Sequence, residues 1–335
     1  MANVSVATVS RALNDHANVS AQTRARVLQV ARELGFVPSG AARSLITRRT
    51  QAIGAVLPDL HGEFFSELIR GIDMAARGHG LHLLLSSSHG AALEAAAAVK
   101  AMSGRVDGLL IMSPHLDVRS LAESLPRGLP AVLMNTPANG VDLPSFTVDN
   151  YGGAYSMVRH LAGRGHQVIA LIAGPEYNFE AQERLRGYRA ALADFLPGSD
   201  ELILHGDFTE GSGWRAASQI LALAQYPGAI FAANDAMAIG CLCCLLEAGV
   251  QVPRDIALVG FDDIPLARFV NPPLTTVRVR IAELGSLALE RLALAIGNPD
   301  QVNTKPLTLR CELVVRSSCG RPQASMVAVA SRGDV

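Results

Sequence analysis

Residues 229–262 have the sequence AIFAANDAMAIGCLCCLLEAGVQVPRDIALVGFD, and this stretch decides the fold class. Two short apolar runs, at 229–235 and 256–262, flank a longer segment of helical character. Apolar runs without alternation are typical of strands buried on both faces, and a helix between two of them joins parallel strands. The stretch therefore predicts a strand, helix, strand unit of a parallel sheet.

The same rhythm extends over most of the chain from Gln51. The other apolar runs are AIGAVL at 52–57, LHLLLS at 81–86, DGLLIM at 107–112, PAVLM at 130–134 and VIALIAG at 168–174. One series of such units before about Asp149 and one after it predict two doubly wound α/β lobes with a cleft between them. Ligands of these sheets bind beyond the carboxyl ends of the strands. Here those ends carry Asp59, Asn135, Asp149, Asn234 and Asp262.

The first 50 residues follow a different, helical pattern. Ser5 is predicted to cap a short helix, and Ser20 a second one that ends before Gly35. Pro38 then breaks the chain, and residues 39–46 can form at most about two turns of helix, too short to be stable alone. Small polar residues from Gly320 onward predict a frayed tail.

Charge is divided unevenly along the chain. The first 50 residues carry seven arginines and two carboxylates, a net charge of +5, whereas the other 285 carry 22 basic and 28 acidic residues, a net charge of −6. A small basic segment on an acidic body suggests that the N-terminus approaches a polyanion. On charge alone, an ordinary solvated basic face is an equal alternative.

Composition narrows the class of protein. With 49% hydrophobic and 18% charged residues the chain should fold. It has no apolar run of about 18 residues and no signal-peptide pattern at its start, so we expect a cytoplasmic protein without membrane association. The five cysteines lack histidines at ligand spacing and are predicted to be small core residues, with no metal site and no cofactor.

Eight segments together resemble the LacI/GalR family of transcription regulators. They are VSVATVSRALN (4–14), VSAQTRARVLQVARELGFVPSGAARSL (19–45), AIGAVLPDL (52–60), RVDGLLIM (105–112), RLRGYRAAL (184–192), AANDAMAIG (232–240), DIALVGFDDIPLARFVNPPLTTVR (255–278) and LVVRSS (313–318). The resemblance implies a helix-turn-helix headpiece, a hinge helix and a periplasmic-binding-protein type I sensor domain. It also implies a homodimer on double-stranded palindromic operator DNA, controlled by a small-molecule effector.

The resemblance also implies the domain boundaries. They are a headpiece at 1–38, a hinge helix and linker at 39–50, a two-lobed domain at 51–319 and a flexible tail at 320–335. Within the two-lobed domain, lobe N covers about 51–149 and 279–307, and lobe C about 150–278 and 308–319. Family members usually begin about ten residues earlier, with a first headpiece helix. Either the reading frame continues upstream of Met1, which we favour, or that helix is lost.

The resemblance assigns DNA contacts to the first helix and the hinge. The residues are Ser5, Val6, Ala7, Thr8, Ser10, Arg11 and Asn14 in the recognition helix, and Ala42 and Leu45 in the hinge. Val6 and Ala7 would meet thymine methyl groups, and Arg11 would fork onto guanine or phosphate. Leu45 would wedge into the minor groove and kink the operator. Alternatively, Leu45 is a linker residue that covers the sensor surface.

The resemblance also points to nine residues as the effector site. They are Phe64, Phe65, Asp149, Asn178, Glu180, Arg184, Phe208, Asn234 and Asp262. Aromatic faces suit a sugar or a base, and Arg184 and Asp262 would reach neighbouring hydroxyls from opposite sides of the cleft. Alternatively, Asp262 caps a turn, Arg184 pairs with Glu180 or Glu183, and Phe208 is core. Val279 stands where many members place a sugar-binding glutamine, so we expect an effector that differs from the best-known ones.

Two other functions fit a doubly wound chain. An exported sugar-binding protein shares the sensor fold, but it requires a signal peptide and has no basic helical headpiece. An enzyme is disfavoured because the sequence has no glycine-rich phosphate loop, no nucleophile elbow, and no histidine at useful spacing from a serine or cysteine. We therefore predict a regulator, a repressor, whose effector is a sugar or sugar derivative, with a purine as the second choice.

Overall fold

The structure is a computed structural model that describes residues 2–13, 17–36, 49–114, 118–138 and 140–320. Its helices are α1 (Val6–Leu13), α2 (Ala21–Glu33), α3 (Glu63–Gly78), α4 (Ala92–Met102), α5 (Val118–Ser124), α6 (Asn150–Gly163), α7 (Phe179–Phe195), α8 (Glu210–Leu221), α9 (Asp235–Glu247) and α10 (Ile281–Gly297). Short 3₁₀ turns cover Pro265–Arg268, Pro299–Gln301 and Ser317–Cys319.

Twelve strands form two sheets in the described part. They are β1 (Ala52–Leu57), β2 (His82–Ser87), β3 (Leu109–Met112), β4 (Ala131–Met134), β5 (Ser145–Val148), β6 (Ile169–Ala173), β7 (Leu202–His205), β8 (Ala229–Ala232), β9 (Ala257–Asp262), β10 (Thr275–Arg278), β11 (Leu307–Leu309) and β12 (Glu312–Val314). The sheet orders are β11-β5-β4-β3-β1-β2 in lobe N and β12-β10-β9-β8-β6-β7 in lobe C. All pairs are parallel except β10 with β12. The predicted fold of two doubly wound lobes is confirmed.

The central strands are continuous apolar runs because helices cover both faces of each sheet. Every residue of β1, β3, β4, β6, β8 and β9 is buried. In lobe N, α10 packs beside α3, although the chain enters α10 from lobe C. In lobe C, α6 pairs with α7 and α8 pairs with α9. Parallel packing of this kind brings the carboxyl ends of both sheets to the space between the lobes.

Three chain crossovers connect the lobes. They lie at Asp149, between β10 and α10, and between β11 and β12. Because β11 pairs with β5, the third crossover follows Leu309, two residues beyond the predicted boundary after residue 307. A three-residue strand with two exposed positions leaves no apolar run from which the sequence could have placed it.

The headpiece helices begin and end where their capping residues predict. The Thr8 amide donates to Ser5 Oγ, and the Thr23 amide donates to Ser20 Oγ. Gly35 ends α2 with a φ of +59°, a left-handed conformation that glycine adopts without strain. Small buried residues, among them Ala12 and Val27, form the core between the two helices. Asn14, Ala42, Leu45 and the predicted hinge helix lie outside the described residues.

The cysteines are only partly the core residues that we expected. Cys241, Cys244 and Cys319 are buried, but Cys243 is exposed on α9 and Cys311 is half-buried. The apolar helix α9 has one exposed face, and Cys243 lies on it. Within the described ranges, no helix has both the length and the apolarity that crossing a bilayer would require.

The close packing of α8 against α9 requires two glycines. A Cβ at Gly240 of α9 would lie 1.9 Å from the Glu210 carbonyl oxygen, and one at Gly213 of α8 would lie 2.0 Å from that of Met237. We expect Gly240→Ala to lower the free energy of unfolding by about 1–3 kcal/mol, because two backbones must separate. In Gly163→Ala, at the end of α6, the added Cβ meets open space. Thermal melting should show this control unchanged or stabilised by about 0.5–1 kcal/mol; equal losses would contradict the close packing.

Candidate effector cleft and DNA-facing helix

A cavity of about 440 Å³ lies between the lobes, beyond the carboxyl ends of the strands. Eight of the nine predicted effector residues line it: Phe64, Phe65, Asn178, Glu180, Arg184, Phe208, Asn234 and Asp262. They come from five separate segments, so the fold brings together what the sequence separates by up to about two hundred positions. A volume of this size fits a small metabolite.

Asp149 is the predicted residue that does not line the cavity. Its Oδ1 accepts a hydrogen bond of 2.9 Å from the Gly152 amide, so the carboxylate caps α6 at the first crossover. Val279 is buried and also outside the cavity lining. Its amide donates to the Asp262 backbone carbonyl, which ties the second crossover to the end of β9.

Arg184 is the centre of a buried polar network. Its Nε donates to Asn150 Oδ1 over 2.8 Å, and its Nη1 donates to the Ala233 carbonyl. Its Nη2 lies 3.2 Å from Asp262 Oδ1 and 3.7 Å from Glu180 Oε1. The guanidinium also stacks on the Phe261 ring, 3.9 Å from the centroid. Protein groups therefore engage the arginine from every side.

This network corrects one expectation about the cleft. Arg184 and Asp262 do not face each other across it, because both belong to lobe C and form an ion pair. The alternative pairing of Arg184 with Glu180, one helical turn away, is present as well. Glu183 pairs instead with Arg186 on the exposed face of α7.

Two buried carboxyl groups share this single arginine. Burial raises the pKa of Glu180 to about 7 and that of Asp262 to about 6, although Arg184 opposes both shifts. Asp262 also raises the pKa of Glu180, because two like charges lie close together. The site therefore has more negative charge than its own cation compensates.

In the part of the chain that the structure describes, three hydrogen bonds join the lobes around the cavity. Asn135 Nδ2 of lobe N donates to Glu180 Oε1 of lobe C over 2.8 Å, with both side chains buried. At the rim, the Leu266 amide donates to Glu63 Oε2 over 2.7 Å, and the Phe179 amide donates to the Pro114 carbonyl. The lobes are thus in contact, and the orientation of one relative to the other is linked to groups in the cleft.

Aromatic rings supply part of the apolar surface of the cavity. Phe64 and Phe65 meet edge to face, with centroids 5.4 Å apart. Phe208 has a φ of +70°, and its ring lies 5.8 Å from the Arg184 guanidinium carbon. Phe208 is both partly packed against the core and part of the cavity lining, so the two interpretations of this residue are not exclusive.

Several lining residues were not among the nine predicted effector residues. They include Asp59, His61, Glu63, His89, Met112, Asp207, Thr209, Glu210 and Ile264. Asp59 was noted as a strand-end residue but was not assigned to the effector site. Glu63 and Glu210 give no signal in the sequence, because acidic residues are common in the first turn of any helix. Asn135 was noted as a strand-end residue, but its bond to Glu180 depends on how the lobes meet.

In the headpiece, α1 presents its predicted DNA-contacting side to solvent. Ser5, Val6, Ala7 and Arg11 are exposed, and Thr8 and Ser10 are half-buried. Val6 is 86% exposed, which is unusual for a valine and fits a surface that awaits a partner. The opposite side of α1 packs through Ala12 against α2.

A basic helical unit attached to a two-lobed domain with a metabolite-sized cleft defines the class of ligand-responsive transcription regulators. Comparison with known families supports this class. Residues 1–39 match the family model of bacterial regulatory proteins, lacI family, and residues 158–319 match that of the periplasmic binding protein-like domain.

Similar proteins extend the match over nearly the whole chain. The HTH-type transcriptional repressor CytR of Escherichia coli K12 is 36% identical over 319 residues, 95% of this chain and 93% of that protein. The ribose operon repressor of the same strain is 36% identical over 89% of this chain and 92% of its own length. A lac repressor dimer bound to operator and the anti-inducer ONPF has a TM-score of 0.85 at 29% identity, covering 96% and 97% of the two chains. The chain belongs to the lacI family and is a DNA-binding transcription regulator.

Proposed function

We propose that this protein is a repressor that binds palindromic operator DNA as a homodimer and responds to a small polar metabolite, a sugar or a related compound. The observation that carries the proposal is the buried network of Arg184, Asp262 and Glu180, which lines a cleft between two lobes in contact. A buried surplus of acceptors favours a ligand rich in hydroxyl or N–H donors. Structures of similar proteins with bound cellobiose and ribose support this ligand class.

The response is a linkage between two sites. A ligand shifts the lobe orientation only by binding one orientation more tightly than the other. In a dimer, that orientation sets the spacing of the two hinge segments, and so the free energy of forming both hinge helices on DNA. Two hydrogen bonds connect the cleft to the lobe orientation. One joins Asn135 to Glu180, and the other joins Leu266 to Glu63 at the rim.

An apolar surface on lobe N supports the homodimer. Strand β2 is at the edge of its sheet and exposes Leu84 and Leu85, and Met74 of α3 and Leu93 of α4 are exposed nearby. Exposed edge strands with apolar side chains are covered in native proteins, since they otherwise pair at random. We propose that a second copy covers this face. A regulator of this kind has no catalytic activity and acts on DNA in the cytoplasm.

The proposal is tested by DNA selection. Duplexes selected from a random pool by the purified protein should contain an inverted repeat, and gel shifts should give a salt-dependent affinity far above that for a scrambled duplex. A selected motif without two-fold symmetry, or equal affinity for both duplexes, would contradict the proposed operator binding.

Leu45→Ala should weaken binding to the selected duplex by more than about tenfold, because a wedge residue supports the DNA bend while the phosphate contacts stay. Affinity for the scrambled duplex should hardly change. Leu223→Ala, at a partly exposed leucine of lobe C, is the control. Gel-shift titrations at one salt concentration measure both affinities. Equal losses of affinity for the two duplexes would contradict the role of Leu45 as a wedge.

A further inference from the structure

The charged groups that line the cleft are mainly negative. Six carboxylates of the described residues line it, namely Asp59, Glu63, Glu180, Asp207, Glu210 and Asp262. Among the described residues, Arg184 is the one arginine or lysine of the lining, and two histidines lie near the rim. The buried part has the same bias, because Glu180 and Asp262 share that single cation.

Arg184 is not available to neutralise an anionic ligand. Its three nitrogens contact Asn150, the Ala233 carbonyl, Asp262 and Glu180. A ligand phosphate or carboxylate would have to displace one of these partners. Displacing Asp262 would leave a buried carboxylate without its cation, which is strongly unfavourable.

Helix N-termini are the other usual anion sites, and here the chain's own carboxylates occupy them. The first turns of α3, α7, α8 and α9 border the cavity, and each carries an acidic residue. These are Glu63, Glu180, Glu210 and Asp235. Asn178, Thr209 and Asn234 also cap three of the helices with side-chain oxygens. An anionic ligand at these helix ends would therefore meet acidic side chains and capping oxygens.

The cleft does have an unfilled acceptor. Asp262 Oδ1 is buried and, within the described residues, has no hydrogen-bond partner. Its 3.2 Å contact with Arg184 Nη2 is an ion pair without hydrogen-bond geometry. Asp262 has a φ of +112°, a strained conformation for aspartate that holds the side chain at the end of β9, in the cavity lining. A donor group on a ligand would satisfy this oxygen.

We infer that the effector is an uncharged or cationic compound that donates hydrogen bonds, and that the cleft excludes phosphate esters and carboxylates. The inference rests on the proposed function, since it takes this cleft as the effector site. A free sugar or nucleoside satisfies it, and the corresponding phosphorylated or acidic compound does not.

Matched pairs of compounds test the inference on the full chain at pH 7.5. The pairs are ribose and ribose 5-phosphate, glucose and glucose 6-phosphate, galactose and galacturonate, and cytidine and adenosine with their 5′-monophosphates. A bacterial metabolite extract, with mass spectrometry of the retained compound, widens the search. Thermal shift finds binders and calorimetry gives their affinities. We expect an uncharged or cationic binder whose anionic partner binds at least thirtyfold more weakly. An anionic partner of equal affinity, or a search that yields only anionic ligands or none, overturns the inference.

Variants of two neighbouring glutamates locate the effect. Glu180→Gln should reduce the affinity gap, which is the ratio of the affinities of the uncharged compound and its anionic partner, by at least threefold. The reason is that one buried negative charge is removed. Glu183→Gln removes a charge on the outer side of the same helix, paired with Arg186, and should leave the gap unchanged. An equal gap in all three proteins would contradict charge exclusion by the cleft.

Operator binding on the same samples separates this inference from the proposed function. An anionic compound that alters operator affinity would overturn the charge inference and leave the regulator intact. An uncharged ligand that binds without any change in operator affinity would overturn the regulatory role and leave the charge inference intact.

Discussion

Arg184→Ala is expected to lower the free energy of unfolding by about 3–5 kcal/mol, and the melting temperature by roughly 10 °C. The guanidinium is buried and contacts Asp262 and Glu180 at 3.2 and 3.7 Å. Its removal leaves two buried carboxylates without a cation, and also leaves Asn150 Oδ1 and the Ala233 carbonyl without their donor. Thermal or denaturant unfolding at pH 8 measures the loss.

Arg186→Ala is the matched control for this experiment. Arg186 lies on the same helix and pairs with Glu183 at the surface, where ion pairs contribute little, so its melting temperature should stay nearly unchanged. Because the pKa values of Glu180 and Asp262 are already raised, lowering the pH to 5 protonates both and should shrink the loss in Arg184→Ala. A loss of the same size in both variants, or one independent of pH, would contradict a charge-compensating role.

The fold could be predicted from the sequence because the patterns that indicate it are local. Unbroken apolar runs such as residues 229–232 are typical of strands covered on both faces, and Ser5 and Ser20 cap their helices through neighbouring amides. β11 had no such signal, since its three residues are mostly exposed and pair with β5 about 160 positions away.

The sequence predicted most residues of the site but not how they are arranged. The family resemblance identified eight of the lining residues. Two of them, Asn234 and Asp262, also lie at strand ends, and the carboxyl ends of parallel strands share one edge. Which of them touch depends on the packing in three dimensions. Arg184 was expected across the cleft from Asp262, although the predicted lobe C, about 150–278, contains both, and the structure pairs them within that lobe. The partner of Glu180 across the cleft, Asn135, is 45 positions away, beyond the reach of helical spacing.

The protonation of Glu180 is expected to have the second large effect on the stability of the folded protein. In the unfolded chain its pKa is near the ordinary value of 4.5, and burial raises the pKa in the folded protein to about 7. Between these pH values the folded state binds more protons than the unfolded state, so the contribution of Glu180 to stability falls as the pH rises from about 4.5 to 7. Above pH 7 the folded protein holds a buried carboxylate that it only partly compensates.

Glu180→Gln should therefore stabilise the ligand-free protein at pH 8 by about 1–3 kcal/mol, the upper value corresponding to the full pKa shift. The glutamine oxygen still accepts from Asn135 Nδ2, so the contact between the lobes is kept. At pH 5, where Glu180 is protonated in the folded protein, most of the advantage should be lost. Denaturant unfolding of Glu180→Gln at both pH values, with Glu183→Gln as the control, measures the difference. A variant that is less stable than the parent at pH 8, or whose gain is the same at pH 5, would show that the Glu180 carboxylate is compensated by its surroundings and carries no stored penalty for a ligand to relieve.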